Sequence, residues 1–184
     1  LLLATPFAIA EEPKSWKGEL VMPKKWASDI TFVERIENKP NAKREFSGNA
    51  PIRVLDDMAG WLKIRDGTQE GWTPKGDWVL DYLALEYFNE QVDANPKDVF
   101  ARYSRAREWK ATGEYDKAIK DYSECIRLEP DNGNYFISRD NAWKSKAEHD
   151  KAIADYSEAI RIDPKNALAF NNRGNSWGDK KEFD

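Results

Sequence analysis

The pattern of apolar and polar positions changes near residue 80. Before it, short runs rich in β-branched and aromatic residues, such as "GWLKIRD" and "EGWTP", are separated by Gly, Asn, Pro and Asp. Such runs predict strands joined by tight turns. After it, apolar residues recur three and four positions apart, which predicts amphipathic helices. The chain therefore divides into a β-rich half and a helical half.

The helical half repeats itself every 34 residues. An ungapped match of residues 99–132 with residues 133–166 gives identity at 17 of 34 positions, and residues 167–184 begin a third copy. This period is typical of helical repeats, in which each unit is a helix, a turn and a second antiparallel helix. Because one pair of helices cannot bury both faces, the copies are predicted to stack. In the first copy, the apolar stripe of the second helix consists of Ala118, Ile119, Tyr122, Cys125, Ile126 and Leu128.

Polar and special residues mark the helix ends. Asp116 and Asp150 stand where carboxylates can accept the free N–H groups of a first turn, so we predict that they are N-caps. Gly113 precedes the second helix and is predicted to relax the turn between the two helices. Pro130 helps to end that helix.

Arginine and aspartate recur with the same period. Arg105, Arg139 and Arg173 lie in the first helices, and Asp121 and Asp155 lie in the second helices. From their heights along antiparallel helices, each arginine should meet an aspartate of its own or the preceding unit. We predict structural ion pairs that set the stacking register, each costing about 3 kcal/mol if one partner is lost.

Residues 84–184 resemble tetratricopeptide repeats. The resemblance implies a helical superhelix with repeats at residues 98–132 and 133–166, a truncated third at residues 167–184, and a capping half-repeat helix at residues 81–97. The chain departs from the family pattern at Arg102, where an aromatic residue is usual, and at Ala106 and Asp140, where glycine is usual. The residues that match the pattern are Phe136, Phe170, Gly174, Trp109, Trp143, Trp177, Ala118, Ala152, Tyr122, Tyr156, Cys125, Ala159, Pro130 and Pro164, with Ala84, Phe88 and Pro96 in the half-repeat.

The same resemblance implies a binding surface. In these arrays the first helices line a concave groove that holds an extended or helical peptide. On that wall Arg107, Lys110 and Lys144 would favour an acidic partner, while a solvated polar face without a ligand is the alternative. Tyr103 and Ile137 stand where a chaperone-tail clamp has Lys or Asn, which argues against such a ligand. The predicted groove residues are Tyr103, Arg107, Lys110, Ile137, Asn141, Lys144, Asn171 and Asn175.

Residues 60–79, "GWLKIRDGTQEGWTPKGDWV", resemble the end of a bacterial Src-homology-3-like domain. The resemblance implies a small β-barrel within residues 11–80. The chain lacks the early Asn-x-Arg-x-x-Pro segment of that family, which argues against a cell-wall ligand. We predict that Trp61 and Trp72 lie in or beside the core and that Trp26 is exposed.

Composition narrows the function classes. The net charge is −4, with 12 basic and 12 acidic residues in 11–80 and 17 basic and 21 acidic residues after them, so no basic face for nucleic acid is expected. One cysteine, Cys125, excludes an internal disulfide and a multi-thiolate zinc site, and it is expected to be a small buried helix residue. With one histidine and no phosphate-binding loop, no catalytic set and no cofactor is expected. Asp56 and Asp57 are interpreted as turn residues.

The first ten residues, "LLLATPFAIA", resemble the end of a secretory signal peptide with cleavage after Ala10. A buried strand or a lipid-facing stub is the alternative interpretation. We expect an exported bacterial protein, periplasmic or extracellular, that continues beyond both ends of this sequence and has no membrane span once the signal is removed.

Together these features predict a non-enzymatic adaptor that binds protein or peptide segments in the groove of the repeats. The alternative is a targeting module whose β-domain binds an envelope polymer such as peptidoglycan. An enzyme would need catalytic residues beyond Asp184.

Overall fold

The computed structural model describes residues 15–17, 19–25, 52–58, 60–66 and 69–183. The chain divides into two compact units, residues 1–81 and 82–184. The predicted signal remnant at residues 1–10 and Trp26 lie outside the described residues.

In the residues of the first unit that the structure describes, five strands form an antiparallel sheet in the order β4-β3-β2-β1-β5. A register shift interrupts the pairing of β2 with β3 between Val54 and Asp56. In the described part of this unit β4 and β5 form the two edges, so the sheet is open and the predicted closed barrel is not confirmed. The strands are β1 (Leu20–Pro23), β2 (Ile52–Met58), β3 (Trp61–Asp66), β4 (Gln69–Pro74) and β5 (Trp78–Leu80).

Side-chain alternation along β3 and β4 separates a buried face from a half-buried one. Leu62 and Ile64 are fully buried, whereas Trp61 and Trp72 belong to the opposite face and are half-buried. Trp78 is fully buried in the core, and its indole N–H donates to the hydroxyl of buried Thr73 at 3.0 Å. Trp61 and Trp72 therefore lie on the face of the sheet opposite Leu62 and Ile64.

The interpretation of Asp56 and Asp57 as turn residues is wrong, because both lie within β2. The Asp57 carboxylate accepts the backbone N–H of Trp16 at 2.7 Å and pairs with the Lys75 ammonium at 3.0 Å. Burial raises the pKa of Asp57, but these two donors lower it by more, so it lies below its ordinary value. Asp57 therefore anchors the segment before β1 to the sheet.

The second unit consists of six helices, and each packs against the next. The alanines that the repeat pattern predicted to face the neighbouring helices, among them Ala118, Ala152 and Ala159, have no exposed surface. Cys125 is also fully buried, as predicted, and burial raises the pKa of its thiol to about 12. The helices are α1 (Ala84–Ala94), α2 (Val99–Ala111), α3 (Tyr115–Leu128), α4 (Gly133–Ser145), α5 (His149–Ile162) and α6 (Ala167–Phe183).

The N-caps differ from the prediction. Asp116 and Asp150 lie inside the first turns of α3 and α5, whose N-cap residues make no side-chain cap bond. The side chains that cap are instead those before the first helices: Asp98 accepts from the N–H of Ala101 at 2.9 Å. Asn132 and Asn166 occupy the same position one and two repeats later and accept from Asn134 and Ala169.

The turns inside the two complete repeats have the same shape but different residues. Gly113 has φ +82° before α3, as the sequence indicated, and Ala147 has φ +57° at the same position before α5. A Cβ atom destabilises this left-handed conformation by about 1–2 kcal/mol. We expect Ala147→Gly to raise the free energy of unfolding by about 1 kcal/mol, measured by urea denaturation. Gly113→Ala should lower it by a similar amount, and an unchanged midpoint in both variants would contradict the strain.

Candidate peptide-binding surface

A repeated arginine ties three helices together and thereby fixes the first helices. Arg139 donates to Asp155 through Nε at 2.9 Å, pairs with it again through Nη2, and reaches Ser123 with Nη1 at 2.9 Å. One repeat earlier, Arg105 pairs with Asp121 at 2.7 Å and reaches Asn89 at 3.4 Å. The predicted ion pairs are therefore confirmed for Arg105 and Arg139, each with the aspartate of its own repeat. For Arg173 the prediction is wrong, because within the described residues it donates to the Ser157 hydroxyl at 3.3 Å and pairs with no aspartate.

The first helices of successive repeats, α2, α4 and α6, approach one another side by side. The Tyr103 hydroxyl lies 3.3 Å from the Ser138 hydroxyl, and its ring packs against Tyr135 at 5.5 Å between centroids. The Lys144 ammonium lies 3.5 Å from the Asp179 carboxylate. These contacts join α2 to α4 and α4 to α6.

The predicted groove residues differ in exposure. The asparagines Asn141, Asn171 and Asn175 are exposed, and the Asn141 amide donates to the carbonyl of Ile137 at 2.9 Å. Tyr103 and Ile137 are half-buried and pack against the repeat cores. The exposed amides of Asn171 and Asn175 are therefore accessible to a ligand, whereas the side chains of Tyr103 and Ile137 are fixed by packing.

Two predicted cationic residues of α2 lie close together. Burial lowers the pKa of Lys110, and repulsion from Arg107 lowers it further. Both side chains are half-buried. A partly desolvated ammonium next to a guanidinium is a favourable place for a carboxylate, because the negative charge would relieve both effects.

The sequence did not predict that Asp140 is buried. It has no exposed surface, and neither carboxylate oxygen completes an ordinary hydrogen bond. Burial raises the pKa of Asp140 to about 7, against the opposing influence of the Tyr156 hydroxyl and the Lys144 ammonium, while Asp155 raises it further. The position of Asp140 could have indicated its burial, because the tetratricopeptide pattern has glycine at this position and the first repeat has Ala106.

The part of the chain that the structure describes contains no group of three or more His, Cys, Asp or Glu side chains placed to hold a metal ion. None of its helices has the length and apolar character required to cross a bilayer.

Family comparison accounts for the helical unit. Residues 99–132 match the model described as tetratricopeptide repeat, and residues 141–178 match the model described as TPR repeat. The helical unit carries tetratricopeptide repeats. No curated protein sequence matches the chain significantly.

Two solved structures with a TM-score of 0.50 or more are similar in fold to this chain. The MamA protein is 24% identical with a TM-score of 0.53, and the match covers 55% of this chain and 56% of that chain. The first TPR domain of human RPAP3 is 17% identical with a TM-score of 0.50, over 53% and 77% of the two chains. The first TPR of Spaghetti (RPAP3), bound to the HSP90 peptide SRMEEVD, is 18% identical with a TM-score of 0.49, over 51% and 75%.

Proposed function

We propose that this protein is a non-enzymatic adaptor that binds a peptide or protein segment on the surface formed by α2, α4 and α6. The observation that carries the proposal is the side-by-side approach of these helices, with exposed amides on two of them. Amide groups can donate to and accept from a peptide backbone at the same time. The repeats thus offer a rigid surface whose polar groups suit an extended chain.

The same surface favours an acidic partner. Arg107 and the partly desolvated Lys110 provide two adjacent positive charges on α2. Complementary charge of this kind raises association rates and selects among partners. The cationic end of the surface on α2 would then receive the acidic side chains of the partner.

The experiment measures binding of acidic peptides to the full chain. A synthetic array of glutamate-rich and lysine-rich decapeptides provides the probes, and fluorescence polarisation gives the dissociation constants. We expect glutamate-rich peptides to bind, and Arg107→Glu combined with Lys110→Glu to weaken them by about tenfold or more, because two attractions become repulsions.

The matched control makes the same change of charge at residues outside the proposed binding surface. Lys97 and Lys165 are exposed residues of the loops before α2 and α6, and their replacement by glutamate should leave the dissociation constants within about twofold. Equal weakening in the control, or no preference for acidic peptides, would refute the assignment.

A second candidate function concerns the β-rich unit, which we propose to be a Src-homology-3-like module of an exported protein. Half-buried Trp61 and Trp72 belong to the same face of neighbouring strands, and exposed aromatic rings can stack on sugars of an envelope polymer. Co-sedimentation of the full chain with insoluble peptidoglycan tests this candidate. Retention should fall in Trp61→Ala and Trp72→Ala but not in Trp177→Ala, an exposed tryptophan of the helical unit.

A further inference from the structure

A cavity of about 460 Å³ lies on the first repeat, where α1, α2 and α3 meet. It is distinct from the predicted groove, since it shares none of the predicted groove residues. Its lining combines a flat aromatic wall with charged groups from all three helices and the loop after α1. The lining residues are Val92, Asp93, Pro96, Arg102, Arg105, Trp109, Lys117, Lys120 and Asp121.

The cavity is positively charged in an acidic region of the chain. Four basic and two acidic side chains line it, which leaves an excess of two positive charges. The sequence after residue 80, by contrast, has 17 basic and 21 acidic residues. The positive charge is therefore concentrated locally against the balance of the unit.

One buried carboxylate serves two guanidinium groups. The Asp121 side chain is 3% exposed, and it pairs with Arg105 at 2.7 Å and with Arg102 at 3.1 Å. Arg102 and Arg105 are themselves only 14% and 16% exposed. Because one carboxylate cannot neutralise two guanidinium groups, one positive charge in this cluster is left without full compensation. Burying such a charge is costly.

Donors from α3 complete the cavity. The Lys117 ammonium lies 4.3 Å from the centre of the Trp109 ring and shares a surface ion pair with Glu114 at 3.3 Å. Lys120 is exposed and has no acceptor within the described part of the chain. Arg102 uses Nε on the carbonyl of Pro96 and Nη1 on Asp121, which leaves Nη2 available.

The second repeat provides an internal comparison. Phe136 and Ala154 occupy the positions of Arg102 and Lys120, 34 residues later. There, one arginine, Arg139, pairs with one aspartate, Asp155, and the charges balance. The two extra cations are therefore a property of the first repeat and are not required by the helical fold.

We propose that this cavity binds a phosphate dianion, either free or as the phosphate ester of a larger ligand. A single dianion compensates the two cations that the second repeat lacks, Arg102 and Lys120, whereas a carboxylate compensates only one. A guanidinium with an available N–H and two ammonium groups supply the charge-assisted donors that phosphate oxygens prefer. Trp109 provides an apolar wall beside the group to which the phosphate is attached.

Isothermal titration of the full chain tests the proposal, with inorganic phosphate, O-phosphoserine and acetate as separate probes at pH 8 and constant ionic strength. We expect phosphate to bind with a dissociation constant of about 1 mM or tighter, and acetate about tenfold more weakly. Tighter binding of O-phosphoserine than of inorganic phosphate would identify an ester as the source, and the reverse order would identify the free ion.

Two variants copy the second repeat. Arg102→Phe should weaken phosphate binding by about tenfold and Lys120→Ala by about threefold, because each removes one cation. Lys151→Ala, which removes the lysine over Trp143 in the second repeat, should leave binding unchanged. Since Lys120 is exposed, its variant remains informative even if Arg102→Phe fails to fold. Absence of phosphate binding, equal binding of acetate, or unchanged binding in Lys120→Ala would overturn the proposal.

Discussion

Replacement of Asp121 by asparagine is expected to lower the free energy of unfolding of the helical unit by about 3–5 kcal/mol. Asp121 is the acceptor for two largely buried guanidinium groups, those of Arg102 and Arg105. The asparagine side chain has nearly the same shape but no negative charge, so both arginines would remain buried without a counterion. This loss is a large share of the 5–15 kcal/mol that typically stabilises a domain.

The matched control is Asp116→Asn in the same helix. Asp116 pairs with Lys146, but its side chain is 81% exposed, and exposed ion pairs contribute only about 0–1 kcal/mol. Urea denaturation followed by circular dichroism gives both free energies. If the two variants were destabilised equally, the buried pairs of Asp121 would not have the stabilising role that their geometry indicates.

The second large effect is a pH dependence that Asp140 imposes on the helical unit. Its pKa is about 7 in the folded protein and ordinarily 3.8, so the folded state holds a proton that the unfolded chain releases. The contribution of this group is therefore fully present below about pH 4 and is lost as pH rises through 7. A shift of this size corresponds to stability on the order of 4 kcal/mol. Asp155, whose pKa burial also raises, contributes in the same direction.

Asp140→Ala isolates this effect. The first repeat has buried Ala106 at this position, so the fold already accommodates the replacement. Relative to the wild type, the variant should gain stability progressively from pH 4.5 to pH 8, as measured by urea denaturation at fixed salt. Asp131→Asn, which changes an exposed acid of the loop before α4, should show no such trend. A difference between Asp140→Ala and the wild type that is constant with pH would show that the buried carboxylate does not titrate in this range.

The period of the sequence predicted most of the helical unit. Because buried positions recur every 34 residues, the small residues between helices could be placed without coordinates, and Ala118 and Ala152 are fully buried. The pairing of Arg105 with Asp121 and of Arg139 with Asp155 followed from the same period. The period does not indicate which repeat supplies each aspartate. That depends on the offset between the two antiparallel helices, which only the structure shows.

The errors and omissions have different physical causes. Arg102 replaces an aromatic residue, and only the structure shows that its guanidinium turns inward to share Asp121. Asp116 has the composition of an N-cap, but α3 begins one residue before it, which sends its carboxylate to Lys146 instead. In the β-rich half, the alternation of side chains does not indicate which face of β3 is buried. The sequence therefore predicts Trp61 in or beside the core, whereas the structure places it on the opposite face of the strand.

The groove residues themselves stay a prediction. The three exposed asparagines and the closeness of Arg107 to Lys110 are consistent with a binding surface, but recognition depends on a partner whose shape the chain does not encode. The cavity of the first repeat shows the converse case. Its two additional cations are visible in the sequence only as departures from the second repeat, at Arg102 and Lys120.

The repeated arginine also determines how the array comes apart. Arg105 joins α1 to α3 across α2, and Arg139 joins α3 to α5 across α4. The two sets of bonds meet on α3, so no helix between α1 and α5 can detach without disturbing a neighbour. Coupling between adjacent repeats is what makes such arrays melt together, and heating should therefore produce a single cooperative transition for these helices.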